Sequence, residues 1–201
     1  MTRPKLTYFD APVSRGEECR LALHVAGVDF EDDRIARESW AAMKQHTPYG
    51  ALPVLTLPGH APLGQSTAIL VLIGRRHGLH PTDDFVAARH EGMMQHVEDL
   101  RAKINPTLHM ADPEKQAARE ALAVGYIPAW AGFAERNIDG PFFGGDKLNV
   151  VDLKLHMVVR WLQGGKLDHI PATIFADFPK LIGVHDAVRD HPRVKDWYAR
   201  E

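Results

Sequence analysis

Cysteine is nearly missing from this chain: Cys19 stands alone among 201 residues. One thiol excludes an intramolecular disulfide, a zinc ribbon and a CxxC redox pair, and it suits a reducing compartment. An excess of charge of one sign is missing too. Lys and Arg number 24 against 26 Asp and Glu, a net of −2, so no overall basic field draws nucleic acid or an anionic membrane surface. The longest apolar run, Ala68–Ile73, falls far short of the ~20 residues that span a bilayer. Met1–Ser14 carries no apolar stretch of signal-peptide length, and a cytoplasmic location is the expectation. The twelve histidines form no HExxH pair, since His90-Glu91 lacks the second His, so no metal site is expected. Gly144-Gly145 and Gly164-Gly165 fit no phosphate-binding loop, and no GxSxG elbow occurs.

The first 80 residues mix strand and helix signals. Lys5–Phe9 reads as a strand, and Gly16–Ala26 as a helix closed by Gly27. Phe30–Ile35, Leu52–Leu57 and Ala61–Leu63 read as further strands, and Ser66–Arg76 as a second helix. Pro53 lies inside the third strand, where it removes a ladder hydrogen bond. Either a cis Leu52–Pro53 peptide turns the Leu52 backbone outward, free to pair with an extended ligand, or Pro53 merely opens an edge strand. Gly78–Asp83 is a linker, and beyond it strand signals almost vanish. Phe85–Met110 has helical period at Phe85, Met93, Val97, Leu100 and Ile104. Asp112-Pro113 is expected to cap and open another helix, which Pro128 should kink. Asn149 and Asp152 are spaced as a capping box for the next. Pro179–Arg189 and Pro192–Arg200 complete an all-helical second half.

In order along the chain, Lys5-Leu-Thr-Tyr-Phe9, Arg15, Trp40, Lys44, Tyr49-Gly-Ala-Leu-Pro-Val54, Gln65-Ser66, Val97-Glu-Asp-Leu-Arg101, Gly145–Asp152 and Pro192-Arg-Val-Lys195 resemble the tyrosine-type cytosolic glutathione transferases of the pi and sigma classes. Single motifs such as Gln65-Ser66 carry little weight; the series covers nearly the whole chain. The resemblance implies an α/β thioredoxin-like N-terminal domain at 1–80 that binds glutathione. It also implies an all-α domain at 84–201 holding a hydrophobic electrophile, and a homodimer. Glutathione would be a cosubstrate, with no tightly bound cofactor.

Such an enzyme must ionise a thiol whose free pKa is ~8.5. Lowering it by about two units requires about 2.7 kcal/mol of differential stabilisation, and a hydrogen bond to a charged group supplies roughly 1.5–3 kcal/mol. By resemblance the donor is Tyr8. The loop from Phe9 to Arg15 is one residue longer than the family's usual form, which keeps Ser14 open as the alternative. The resemblance gives Gln65 and Ser66 the γ-glutamyl end, Trp40 and Lys44 the glycyl carboxylate, and Leu52, beside Pro53, the cysteinyl backbone. Arg15 would add charge near the thiolate. Asp99, and less so Glu98, would reach the partner subunit's glutathione ammonium, and Tyr49 would be an aromatic key inserted into the partner. The electrophile pocket is expected near Tyr8, the Asp10–Ser14 loop, Leu108 and Met110. Two other readings use the same residues: a glutathione-dependent isomerase or peroxidase, and a non-catalytic homologue that only binds glutathione or another ligand.

Overall fold

β1 (Lys5–Phe9) is the strand on which the first half of the molecule is built. The computed structural model describes residues 3–200. β1 pairs in parallel with β2 (Glu31–Ile35) and antiparallel with β3 (Val54–Thr56), which pairs in turn with β4 (Leu63–Gly64), giving the order β2-β1-β3-β4. The parallel β1–β2 pair needs a crossover, and α1 (Ser14–Val25) supplies it. On one face of the sheet, Leu6 and Leu55 are buried with Cys19 and Leu23 of α1 and with Ile69 and Leu70 of α3 (Ser66–His77). The opposite face is more polar: Thr7 Oγ1 donates to Asp33 at 2.7 Å. Between β2 and β3 the chain makes only short turns around α2 (Trp40–Met43).

Beyond α3 the described residues are essentially helical. α4 (Asp84–Ile104) is capped by Asp83, whose carboxylate accepts from the Phe85 and Val86 N–H groups. It passes into a 3-10 turn over Asn105–His109. α5 (Glu114–Ala121) and α6 (Ile127–Arg136) are joined by a π-helical turn over Leu122–Tyr126. α7 (Val150–Gln163) runs through the middle, packed against α1, α4 and α8 (Pro179–Asp190), with α9 (Pro192–Tyr198) closing on α1. The Asn149–Asp152 box forms as its spacing predicts. Asp152 accepts from the N–H groups of Asn149 and Phe143, each at 2.7 Å. Burial nevertheless pushes this carboxyl up to about 7.

Several local expectations need correction. Asp112 does not cap a helix: its peptide to Pro113 is cis, the helix opens at Glu114 behind Pro113, and the Asp112 carboxylate faces Lys115 at 3.6 Å. The helix expected to kink at Pro128 runs on from α5 into α6 without a break, and the π-helical turn over Leu122–Tyr126 directly precedes the proline, where the regular hydrogen-bond ladder is disturbed. Phe85 is exposed rather than core, because it lies in the first turn of α4, before the helix meets its neighbours. The third strand shortens to Val54–Thr56 and the fourth moves to Leu63–Gly64.

α7 and α8 are cross-linked by two histidines. His156 and His185 stack at 4.4 Å, and each Nδ1 meets the other's carbonyl oxygen, at 3.1 and 3.2 Å. Nε2 of His156 is buried without a partner. A proton placed there would be desolvated, and burial together with the neighbouring His185 lowers this imidazole to about 3. The unfolded chain takes up the proton near pH ~6.5 and the folded chain resists it, so this contribution to stability is full above that pH and drains as pH falls toward 3. At about pH 5 the loss amounts to ~2 kcal/mol. The stability gap between wild type and His156→Leu in urea unfolding should therefore narrow by about that amount between pH ~7.5 and ~5. A gap independent of pH would refute it.

Candidate active site

Strand register brings the scattered candidates to one end of the sheet. Thr7 lies opposite Val54, and Val54 opposite Gly64. Tyr8 therefore faces the Leu52–Pro53 entry to β3, and β4 delivers Gln65 and Ser66 beside the same entry. Phe9 pairs with Ile35, so the exit of β2 toward Trp40 and Lys44 leaves from this end as well. The Leu52–Pro53 peptide is cis, the first of the two alternatives that the sequence leaves open.

Tyr8 is almost wholly buried, its ring lying flat on Gly16 of α1. A β-carbon at Gly16 would fall 2.0 Å from Cδ1 of that ring, so only glycine seats it. Burial pushes the Tyr8 phenol above its ordinary value, against the Ser14 hydrogen bond and the Arg15 charge. A raised phenol stays protonated at neutral pH and remains a donor. Ser14 opens α1 at φ 57° without capping it, since the N-cap is Val13 and no side chain caps there. The two hydroxyls that the sequence offers as alternatives are therefore close neighbours, with Ser14 acting on the phenol against its burial. Gly16→Ala should displace the Tyr8 ring and cost about 1–3 kcal/mol of stability, with activity falling alongside. Unchanged activity and melting temperature would show that the ring does not need that seat.

Gln65 is the N-cap residue of α3 and holds φ 69°, a backbone state that a residue with a β-carbon seldom adopts. The turn aims the first N–H groups of a twelve-residue helix at the β3 entry, an arrangement suited to a carboxylate. Behind Ser66 lies a charge network joining α1, α3, α4 and α7. Arg15 reaches Glu98 with Nε at 2.8 Å and Nη2 at 2.6 Å. Glu98 also meets Arg101 at 2.8 Å and Lys154 at 2.7 Å, and Arg101 continues to Glu18 at 3.0 Å. Burial alone would raise the Glu98 carboxyl, but Lys154, Arg101 and Arg15 outweigh it and hold it at about 2.

A four-stranded mixed sheet joined to a helical half is matched by known families. The model described as "Glutathione S-transferase, N-terminal domain" matches residues 15–76, and "Glutathione S-transferase, C-terminal domain" matches residues 98–201. The chain belongs to the glutathione S-transferase family. It is 42% identical to Glutathione S-transferase 1 of Ascaris suum over 122 residues, covering 61% of this chain and 58% of that one. It is 28% identical to Probable glutathione S-transferase 7 of Caenorhabditis elegans over 205 residues, covering 98% and 96%. Among solved structures, prostaglandin synthase D of Nilaparvata lugens superposes with a TM-score of 0.88 at 27% identity, over 99% of this chain and 98% of that one. The first half is thus the family's thioredoxin-like domain, and the activity is glutathione transfer, with glutathione as substrate.

For a glutathione transferase, the remaining candidates fall in distinct places. Trp40 is half-buried and meets Phe9 edge-on at 6.1 Å. Lys44 lies along the backbone of Gly50. Tyr49 is 66% exposed, with one edge of its ring resting on Gly64 of its own chain. Asp99 is exposed on α4 and apart from the Tyr8 cluster; its charge helps burial to raise the Tyr126 phenol. Glu98 is not available for a ligand ammonium, because three cations of its own chain hold it. Val13, Leu108 and Met110 are exposed apolar side chains. Gly16, Glu18 and Lys154 escaped the sequence reading. A charged residue inside an apolar helical stripe was the available signal for Glu18 and Lys154, while Gly16 carried none.

Proposed function

We propose that this transferase is of the tyrosine type. The Tyr8 hydroxyl donates to the glutathione sulfur and stabilises the thiolate, which then adds to an electrophilic carbon. Ser14 supports the phenol rather than replacing it. The α3 N-terminus at Gln65 and Ser66 receives the γ-glutamyl carboxylate, the Leu52 backbone beside Pro53 pairs with the cysteinyl unit, and Trp40 and Lys44 hold the glycyl carboxylate. Arg15 contributes charge through its pair with Glu98. The observation that carries this reading is the convergence of a protonated phenol, an extended backbone and a free helix N-terminus at one end of the sheet. The electrophile is hydrophobic and lies toward Val13, Leu108 and Met110, where apolar side chains are left exposed. Turnover of glutathione with a chromogenic aryl halide tests it. Binding without turnover on any electrophile would favour a non-catalytic carrier.

The working form in this reading is a cytosolic homodimer with no tightly bound cofactor. Tyr49 inserts into the partner's cleft of about 480 Å³ between α4 and α6, lined by Met93, His96, Phe133 and Phe143, and Asp99 reaches the partner's glutathione. Two features support this: an exposed aromatic on one surface and an apolar cleft on another. Tyr49→Ala should weaken the dimer about 30-fold or more by sedimentation, as expected of an aromatic anchor. An unchanged dimer would remove the key. The likeness to a prostaglandin synthase favours one second reading, a glutathione-dependent isomerase using the same thiolate. Isomerisation of an endoperoxide with glutathione regenerated, rather than consumed, distinguishes it.

A further inference from the structure

Lys154 is a fully enclosed cation at the molecule's centre, and no step of glutathione addition calls for it directly. It projects from α7 with its side chain wholly enclosed. Its ammonium has three hydrogens and three partners: Glu18 at 2.7 Å, Glu98 at 2.7 Å and Ser66 Oγ at 3.1 Å. The first two are ionic. The third is the hydroxyl at the start of α3, 4% exposed and on the helix end that faces the β3 entry.

We infer that Lys154 is a positioning residue for glutathione recognition, which fixes Ser66 as a hydrogen-bond donor to the γ-glutamyl carboxylate. This rests on the assignment of that carboxylate to the α3 N-terminus. A serine hydroxyl carries one proton and two lone pairs, so a free one can turn to accept as readily as to donate. Lys154 has no acceptor to offer. It occupies a lone pair of Ser66 Oγ and leaves the single O–H to point elsewhere, toward an anion. The charge balance agrees. Arg15, Arg101 and Lys154 are three cations set against the two carboxylates Glu18 and Glu98, which leaves one positive charge in excess at the back of the site. Inside the protein that excess acts through a low local dielectric, and a ligand carboxylate at Ser66 supplies the balancing charge.

The recognised group is therefore the α-carboxylate of a γ-glutamyl unit. The measurement is the KM for glutathione against that for cysteinylglycine, the same thiol without the γ-glutamyl residue. The variant is Glu18→Met/Lys154→Met, which removes two opposite charges together and so keeps the net charge of the buried cluster. The double variant should raise the KM for glutathione about tenfold, leave kcat at saturation within about twofold, and leave the KM for cysteinylglycine unchanged. In a Ser66→Ala background it should add nothing further. Equal losses for both thiols, or no change for glutathione, overturn the role of Lys154. If Ser66→Ala itself leaves the preference for glutathione intact, it is the placement of the γ-glutamyl end at α3 that fails.

Discussion

Tyr8→Phe is expected to lower kcat/KM for glutathione conjugation by about 10- to 100-fold, the loss of one hydrogen bond to a charged sulfur. The pH–rate profile should show why. With the phenol in place, the apparent thiol pKa falls below its free value of ~8.5, and without it the profile should shift up by about one to two units. The Tyr8 environment suits a donor. Burial keeps the phenol protonated, Gly16 lets the ring lie against α1, and the Ser14 hydroxyl lies nearby. Ser14→Ala removes a neighbour of the donor rather than the donor, and a loss of about fivefold or less is expected. The reverse ranking, with Ser14→Ala inactive and Tyr8→Phe intact, would make this a serine-type enzyme. Stopped-flow titration of the bound thiolate by its ultraviolet absorbance gives the pKa directly, independent of the electrophile.

The second large effect concerns folding. Glu18 and Lys154 are both fully enclosed and meet at 2.7 Å. Each has a further partner, Arg101 for Glu18 and Glu98 for Lys154, but taking either alone to an apolar residue strips the other of an ionic contact and shifts the net charge of a desolvated cluster. Glu18→Met and Lys154→Met should each destabilise the protein by about 3–5 kcal/mol. Together they should cost far less, because an apolar pair of similar volume fills the space without a desolvation penalty. In urea unfolding at neutral pH, the double variant should be more stable than either single one. Additive losses would mean that the two residues contribute through packing and not as a pair.

Some of this architecture is plain in the sequence and some is hidden, for physical reasons. β1 reads clearly because its residues are local strand formers, and the Asn149–Asp152 box reads clearly because its hydrogen bonds span three residues. The Leu52–Pro53 peptide was an even choice from pattern alone, since a proline inside a strand permits two solutions. Tyr8, Gln65 and Ser66 were visible only through the family order of their motifs; strand register, a non-local property, is what gathers them. Lys154 was invisible because the helical period of Val150–Gln163 reads as apolar around it, and its partners lie 136 and 88 positions away. Asp112 misled because an Asp-Pro pair has the composition of a helix start, while its carboxylate is drawn to Lys115. Glu98 misled for a similar reason. On sequence it is an exposed helix acid, and only the assembled α1–α4–α7 contact reveals three cations around it.

The closure of α9 on α1 bears on how the protein is made. Trp197 donates to Glu17 at 2.7 Å, Asp196 meets His24 at 2.9 Å, and the Trp197 ring stacks on Phe30. Glu17 is completely enclosed in the finished molecule, yet part of what encloses it lies 180 positions further along the chain. While the chain is being synthesised, the sheet and α1 emerge first with acidic side chains on a surface that is not yet covered. The first half therefore cannot reach its final packing until α9 has emerged. A ribosome stalled short of α9 would present an incomplete first half, open to proteases and chaperones, however long that half had been free of the tunnel.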